Sequence, residues 1–395
     1  MTATAALSRL GAEELRERAR SLLPRLRERV EVTEERRHIP PETIEDFRDL
    51  GLLRILQPAR FGGHELGYDV INDIAIDLAG ACASSAWCFV ILNTGSMLAG
   101  FPDEAQHDVW DAKPDAITCG VFAPTPHVAQ QDGGYVVHGR WPFASGSDHS
   151  DWAMLAGLNL AGGIPELRFF LFPRSDYRIE DDWYVSGLRG TGSKTIVIDE
   201  PTFVPAHRSI DMGTQREGKT PGSQVNTSWL YRIPLAATFP AGVAVIGVGI
   251  ARAAYAAWVE ENRTKMNYGV IKVADSVAMQ MRCADAAARI DAADLLLRND
   301  VDSAQARIAN GEELTLLDRA RAQRNAAFAT RLCVEAVDNL FEASGGSGLH
   351  DGHPVQRAWR DMHAVAAHIS LRWDGNAEHY GRITWGRTPG NPFFF

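Results

Sequence analysis

The densest run of reactive side chains is Ala144-Ser145-Gly146-Ser147-Asp148-His149-Ser150-Asp151-Trp152, which sets hydroxyls, carboxylates and an imidazole between two apolar segments. No Gly-x-Ser-x-Gly elbow is present, and the run does not match a hydrolase triad, so on composition it is a turn. Gly187-Leu188-Arg189-Gly190-Thr191-Gly192 looks at first like a phosphate loop. A dinucleotide fingerprint needs a strand before it and a helix directly after it. Here the β-type stretch Thr195-Ile196-Val197-Ile198-Asp199 follows, which favours a glycine-rich turn between strands near a ligand. Gly345-Gly346-Ser347-Gly348 reads either as a loop between helices or as backbone open to the close approach of a bulky ligand, and composition leaves both open.

Metal chemistry has little support. The local histidine cluster is His350, His353, His363, His368 and His379. His363 and His368 are five positions apart, which on one helix makes them diverge by roughly 140°, so they cannot chelate as an i,i+4 pair does. No metal site is expected. The cysteines Cys82, Cys88, Cys119, Cys283 and Cys333 are odd in number and share no CxxC spacing, which argues against a disulfide framework or a zinc site and for a reducing cytoplasm. With 40 Lys+Arg against 50 Asp+Glu, the formal charge of −10 disfavours nucleic acid as a partner.

The elements that must position these residues fall into three stretches. In a chain of 395 residues that is 45% hydrophobic, a core of several layers needs no staple. Leu15, Ala19, Leu22, Leu26 and Val30 recur at helical spacing, with a kink expected at Pro24. A second helix starts at Pro40-Pro41-Glu42 and stops at Gly51, and Val70–Leu98 predicts one or two Ala-rich helices. From Ala116 to Pro205 the segments are short and aromatic or β-branched, as in alternating Tyr135, Val137, Gly139, Trp141 and Phe143, and turn signals separate them. This predicts an antiparallel β domain without Rossmann connections. After a polar loop over 213–227, the segments 241–259, 270–298, 315–343 and 358–382 predict four long helices of an up-and-down bundle. The expected organisation is a helical domain over 1–117, a β domain over 118–220 and a helical bundle over 221–395. The N-terminus offers no apolar export region. Leu235–Ala251 is shorter than the ~20 residues of a bilayer span, and no membrane role is expected. The tail Asn391–Phe395 is read as a docked terminus or a small apolar contact to a partner.

Taken together these segments resemble the acyl-CoA dehydrogenase superfamily, and within it the oxygenase components of two-component flavin-dependent monooxygenases of the 4-hydroxyphenylacetate and steroid-phenol type. Gly51-Leu52-Leu53 with Pro58-Ala59-Arg60-Phe61-Gly62-Gly63 carries the superfamily likeness. Gly139-Arg140-Trp141-Pro142-Phe143-Ala144-Ser145-Gly146-Ser147 and Pro354-Val355-Gln356-Arg357-Ala358-Trp359-Arg360-Asp361-Met362-His363, with His368, look like the monooxygenases specifically. The resemblance implies a mainly α fold with a central antiparallel β domain and a C-terminal four-helix bundle. It also implies reduced FMN or FAD arriving from a separate NAD(P)H:flavin reductase and reacting with O2. The resulting C4a-hydroperoxide would pass an oxygen atom to an aromatic or polyketide-like small molecule. By resemblance Ser145 sits at the flavin N5 edge and His368 near the oxygen-reactive face, as catalytic residues. Trp141, Gly146, Ser147, Gly345 and Gly346 join the cofactor site, and Arg263 contacts flavin phosphate across an interface of a homotetramer.

A dehydrogenase of this superfamily carries a Glu base where this chain has Met362 to Ile369, a stretch without Glu that holds His368. Asp374 is a rival base. Phenol hydroxylases of the group usually carry a substrate-touching histidine where this chain reads Leu92-Asn93-Thr94, so Asn93, Thr94 and Asp374 are assigned to the substrate pocket. The leading expectation is an oxygenase component. The alternatives are a dehydrogenase-like flavoprotein, a nitrogen or sulfur oxygenase on the same fold, and a scaffold without flavin.

Overall fold

The computed structural model describes residues 9–125, 127–162, 165–267 and 270–388, so the Asn391–Phe395 tail lies outside the described residues. Helix α1 (Ala12–Glu28) buries Leu15, Ala19, Leu22 and Leu26, the apolar stripe of its sequence, and carries Pro24 without ending there. After Arg29 the chain resumes as α2 (Val30–Arg36), and α3 (Pro41–Asp49) opens with proline at its first position, where the missing N–H costs nothing. The expected one or two helices of Val70–Leu98 are three: α4 (Tyr68–Ala79), α5 (Ala83–Leu92) and α6 (Gly95–Leu98), parted near Gly80 and at Asn93. Helix α7 (Asp103–Trp110) completes the first helical stretch.

Eight strands follow. They are β1 (Thr118–Thr125), β2 (Val128–Gln131), β3 (Gly134–Ala144), β4 (Trp152–Asn159), β5 (Glu166–Pro173), β6 (Arg178–Glu180), β7 (Lys194–Pro205) and β8 (Ser209–Asp211). They form two four-stranded sheets, β1-β4-β5-β8 and β2-β3-β7-β6. The pairs among these eight strands are antiparallel, as expected, except β1 with β4, which run parallel. The excursion through β2 and β3 in the other sheet returns the chain to β1 in the same direction. Aromatic rings fill the space between the sheets: Tyr135 lies 5.3 Å from Phe170 and Trp141 lies 6.4 Å from Phe172.

The loop expected over 213–227 overlaps a short helix, α8 (Met212–Glu217). Three long helices then build the bundle: α9 (Leu235–Thr264), α10 (Val277–Ala309) and α11 (Leu316–Ser344), the last opened by a Thr315–Asp318 capping box. By length and composition α9 could cross a membrane, yet 83% of its apolar window is buried inside the protein, as in a core helix. Gly249 lets it close on α4, since a Cβ there would stand 2.3 Å from the Ile76 carbonyl oxygen. The fourth long helix expected over 358–382 is two shorter ones, α12 (Pro354–Ala366) and α13 (Trp373–Thr384).

Candidate active site

The break between α12 and α13 is made by side chains. His368 adopts extended backbone angles and caps a single 3-10 turn, Ile369–Leu371, its Nδ1 accepting the Ser370 N–H at 3.4 Å. Asn376 Nδ2 donates to the carbonyls of Ser370 and Arg372 at 3.1 and 2.7 Å, satisfying acceptors that a continuous helix would have used. The apolar period runs on through Val365 and Leu371, so hydrophobic patterning does not reveal the break.

This geometry sets the His368 ring against aromatic neighbours. The Trp87 ring of α5 stands edge-on at 5.4 Å and the Phe239 ring of α9 at 6.2 Å, and Phe239 in turn meets Phe122 of β1 at 5.0 Å. Burial among them holds the imidazole neutral, its pKa pushed down to about 4. With Nδ1 accepting from the Ser370 N–H, the proton of the neutral ring belongs on Nε2, which makes that atom a donor. Ser370 Oγ, 2.6 Å from Nδ1, adds a second contact on the same side.

The same Trp87 reaches the Ser145 turn: its Nε1–H donates to Ser145 Oγ at 3.0 Å. His368 and Ser145 thus both meet the one indole. Ser145 Oγ is 2.7 Å from Ser193 Oγ, Ser193 Oγ is 2.7 Å from Thr191 Oγ1, and Thr191 Oγ1 donates to the Leu188 carbonyl at 3.0 Å. The turn that carries Leu188 is pinned from behind, where Asp361 of α12 accepts the Leu188 N–H at 2.7 Å. Close beside Ser145, Gly146 takes φ +70°, where a Cβ would stand 2.9 Å from a Leu92 methyl, and Ser147 Oγ is buried with no hydrogen-bond partner. Phe143 has φ +68° at a register shift of β3 against β7 and leaves its ring 67% exposed, edge-on to Trp183.

The remaining expected residues lie in other places. The Trp141 indole is fully buried between the sheets with Nε1 donating to the Ala156 carbonyl at 2.7 Å, so its side chain is core and not cofactor contact as expected. Asn93 ends α5 behind the Ser145 turn; its amide donates to the Phe89 and Leu52 carbonyls, and its Oδ1 is buried without a partner. Thr94 is also buried, donating to the Thr118 carbonyl at 3.2 Å. Asp374 sits in the first turn of α13, exposed to solvent. Arg263 is exposed at the end of α9, 3.4 Å from Glu260. Lys265 Nζ reaches Ser347 Oγ at 3.1 Å, which brings the Gly345-Gly346 turn close to that end of α9, and a Cβ at either glycine would meet nothing within 4 Å. Of the expected residues, Ser145, Gly146, Ser147 and His368 therefore form an inner group and Arg263, Gly345 and Gly346 an outer one, while Trp141 and Asp374 join neither. Sequence reasoning missed Trp87, Phe143, Asp361, Thr191, Ser193 and Ser370. The Gly187–Ser193 turn was the available signal for two of them.

The helices-sheets-helices order is that of an acyl-CoA dehydrogenase fold. Residues 10–113 match the family model for the acyl-CoA dehydrogenase N-terminal domain and residues 241–373 that for the C-terminal domain. The FADH(2)-dependent resorcinol hydroxylase, oxygenase component, of Rhizobium sp. (strain MTP-10005) is 39% identical over 370 residues, spanning 90% of each chain. The solved structure of 3-HSA hydroxylase from Rhodococcus sp. RHA1 superposes with TM-score 0.91 at 36% identity, covering 97% of this chain and 99% of that one. XiaF from Streptomyces sp., solved in complex with FADH2 and glycerol, gives 0.90 at 28% identity over 96% and 97%. The chain belongs to the acyl-CoA dehydrogenase superfamily. Within it, the chain is an oxygenase component of the flavin-dependent monooxygenases and works with reduced flavin.

Proposed function

We propose that this oxygenase takes reduced FAD from a separate NAD(P)H:flavin reductase and uses O2 to hydroxylate an aromatic or polyketide-like small molecule in the cytoplasm. The observation that carries the reading is the Trp87 bridge, which puts a neutral imidazole and a buried hydroxyl within one residue of each other beside aromatic rings. The residues suit a flavin: Phe143 offers an exposed ring, Ser145 a hydroxyl, and Ser147 a buried oxygen in need of a partner. When bound, reduced flavin supplies the electrons that activate O2. The chain contributes orientation through Ser145, exclusion of water by Trp87, Phe239 and Phe122, and a donor N–H on His368 Nε2 close to where oxygen and substrate meet. Asn93 Oδ1, with its amide already committed, suits a substrate O–H or N–H. A dehydrogenase role fits less well, because Asp374 is exposed and the turn around His368 carries no Glu.

The outer group has a role in a homotetramer arranged as a dimer of dimers. Val277, Met281 and Leu295 on α10 each leave 68% of their surface exposed, an apolar face suited to a second copy. Arg263 then serves a neighbour's flavin phosphate beside Gly345 and Gly346. Light scattering tests the assembly, and a 43 kDa species at micromolar concentration refutes it. Anaerobic titration with reduced FAD followed by mixing with O2 tests the activity. Stabilised flavin oxidation that couples to product is expected, and flavin oxidation at the rate of free flavin would overturn the reading.

A further inference from the structure

The hydroxyls beside Trp87 have a direction. An indole N–H only donates and a carbonyl only accepts, while each hydroxyl carries one proton. With all four links made, the protons run one way: Trp87 to Ser145, Ser145 to Ser193, Ser193 to Thr191, and Thr191 to the Leu188 carbonyl. Reversal would give up the Thr191–Leu188 bond. Trp87, Ser145, Leu188, Thr191 and Ser193 are all buried, with relative exposure between 1% and 6%, so water is poorly placed to replace a lost link. Ser145 Oγ has therefore spent its proton on Ser193 and one lone pair on Trp87, and it offers a ligand one remaining lone pair.

We infer that Ser193 and Thr191 are positioning residues that hold the Ser145 hydroxyl as an acceptor and so make the site select reduced over oxidised flavin. The inference rests on the reading that Ser145 faces the flavin N5 edge. Reduced isoalloxazine carries a hydrogen on N5, which meets the lone pair. Oxidised N5 carries its own lone pair, which opposes it. One hydrogen bond gained against one withheld amounts to a discrimination of about tenfold.

The test is the ratio of dissociation constants for oxidised FAD and dithionite-reduced FAD, measured anaerobically on the full chain. Thr191→Val removes the acceptor that takes the Ser193 proton. Ser193 then turns its proton to Ser145, and the freed Ser145 proton can face an oxidised N5. The ratio should fall by about five- to tenfold, chiefly through tighter binding of oxidised FAD. Ser193→Ala should do the same by a separate route, and Thr191→Ser, which keeps the hydroxyl, should retain the wild-type ratio. In a Ser145→Ala background Thr191→Val should change nothing. A ratio unchanged in both Thr191→Val and Ser193→Ala, or an equal fall in the Ser145→Ala background, overturns the inference while leaving the flavin site intact. A wild-type chain that binds neither form overturns the flavin reading itself and the inference with it.

Discussion

Asp361→Asn should stabilise the protein increasingly as pH rises. Asp361 is buried on α12 beside a cavity that also meets Glu34, Cys82 and Arg357, and its carboxylate accepts the Leu188 N–H. Burial pushes its pKa up to about 6, against a partial offset from that hydrogen bond, and the nearby Glu34 adds to the rise. A carboxyl whose folded pKa exceeds its unfolded value favours the folded state fully only at low pH, and that contribution is lost as pH rises through the folded value. An elevation of about two units, at 1.36 kcal/mol each, corresponds to about 3 kcal/mol lost by neutral pH, of which about 1 kcal/mol is already gone at pH 4.5. The Asn amide keeps an oxygen for Leu188 but buries an extra N–H, a cost that does not depend on pH. The quantity to measure is therefore the difference in unfolding free energy between variant and wild type, from urea melts at pH 4.5 and 7.5. It should move in favour of the variant by about 2 kcal/mol between the two. A difference that stays constant within 0.5 kcal/mol, on the order of the error of such extrapolations, would refute the assignment of a raised carboxyl behind the Leu188 turn.

Other outcomes follow from the same geometry. His368→Asn should keep reduced-flavin binding yet lose product by ~10²-fold, with oxygen released as hydrogen peroxide, read by coupled product and peroxide assays. Because the His368 pKa lies at about 4, the wild-type turnover profile should show no inflection from this group between pH 5.5 and 8. His64, His368 and His379 all have pKa values depressed by burial to about 4, below the unfolded 6.5. Their contribution to stability should be lost as pH falls from about 6.5 through 4, outweighing the opposite trend of Asp361 and lowering the urea midpoint at pH 4.5 relative to pH 7. Gly187→Ala places a Cβ 2.0 Å from the Arg360 carbonyl oxygen, so the turn must leave α12. A loss of about 2 kcal/mol or more in the same melts is expected.

Much of this architecture was legible in the sequence, for identifiable reasons. The stripe of Leu15, Ala19, Leu22 and Leu26 and the alternation of Tyr135, Val137 and Trp141 give the period of one buried face. Helix α5 is buried on nearly every side, so no hydrophobic pattern could single out Trp87, whose Nε1–H meets Ser145, from neighbours such as Phe89. The α12–α13 break hides for a related reason. Its hydrogen bonds come from His368 and Asn376, and neither a proline nor a glycine announces it. Ser145 and His368 are named in the sequence only by resemblance, whereas Thr191, Ser193 and Asp361 come to the Leu188 turn only because separate elements meet there. The Trp141 expectation failed because alternation cannot tell a ring that lines a cleft from one that fills a sheet interface.

Helix α9 matters also while the chain is being made. It emerges as a 30-residue segment whose best window has a mean hydropathy of 1.6, before α10 and α11 have left the ribosome to cover it. Helix α4 has already been synthesised, and Gly249 gives α9 a smooth face on which to dock against it at once. The first helical stretch is thus the part of the chain already made that can cover α9 as it emerges. A bulky residue at Gly249 would be felt first as aggregation during synthesis and only afterwards as lost stability in whatever molecules had folded.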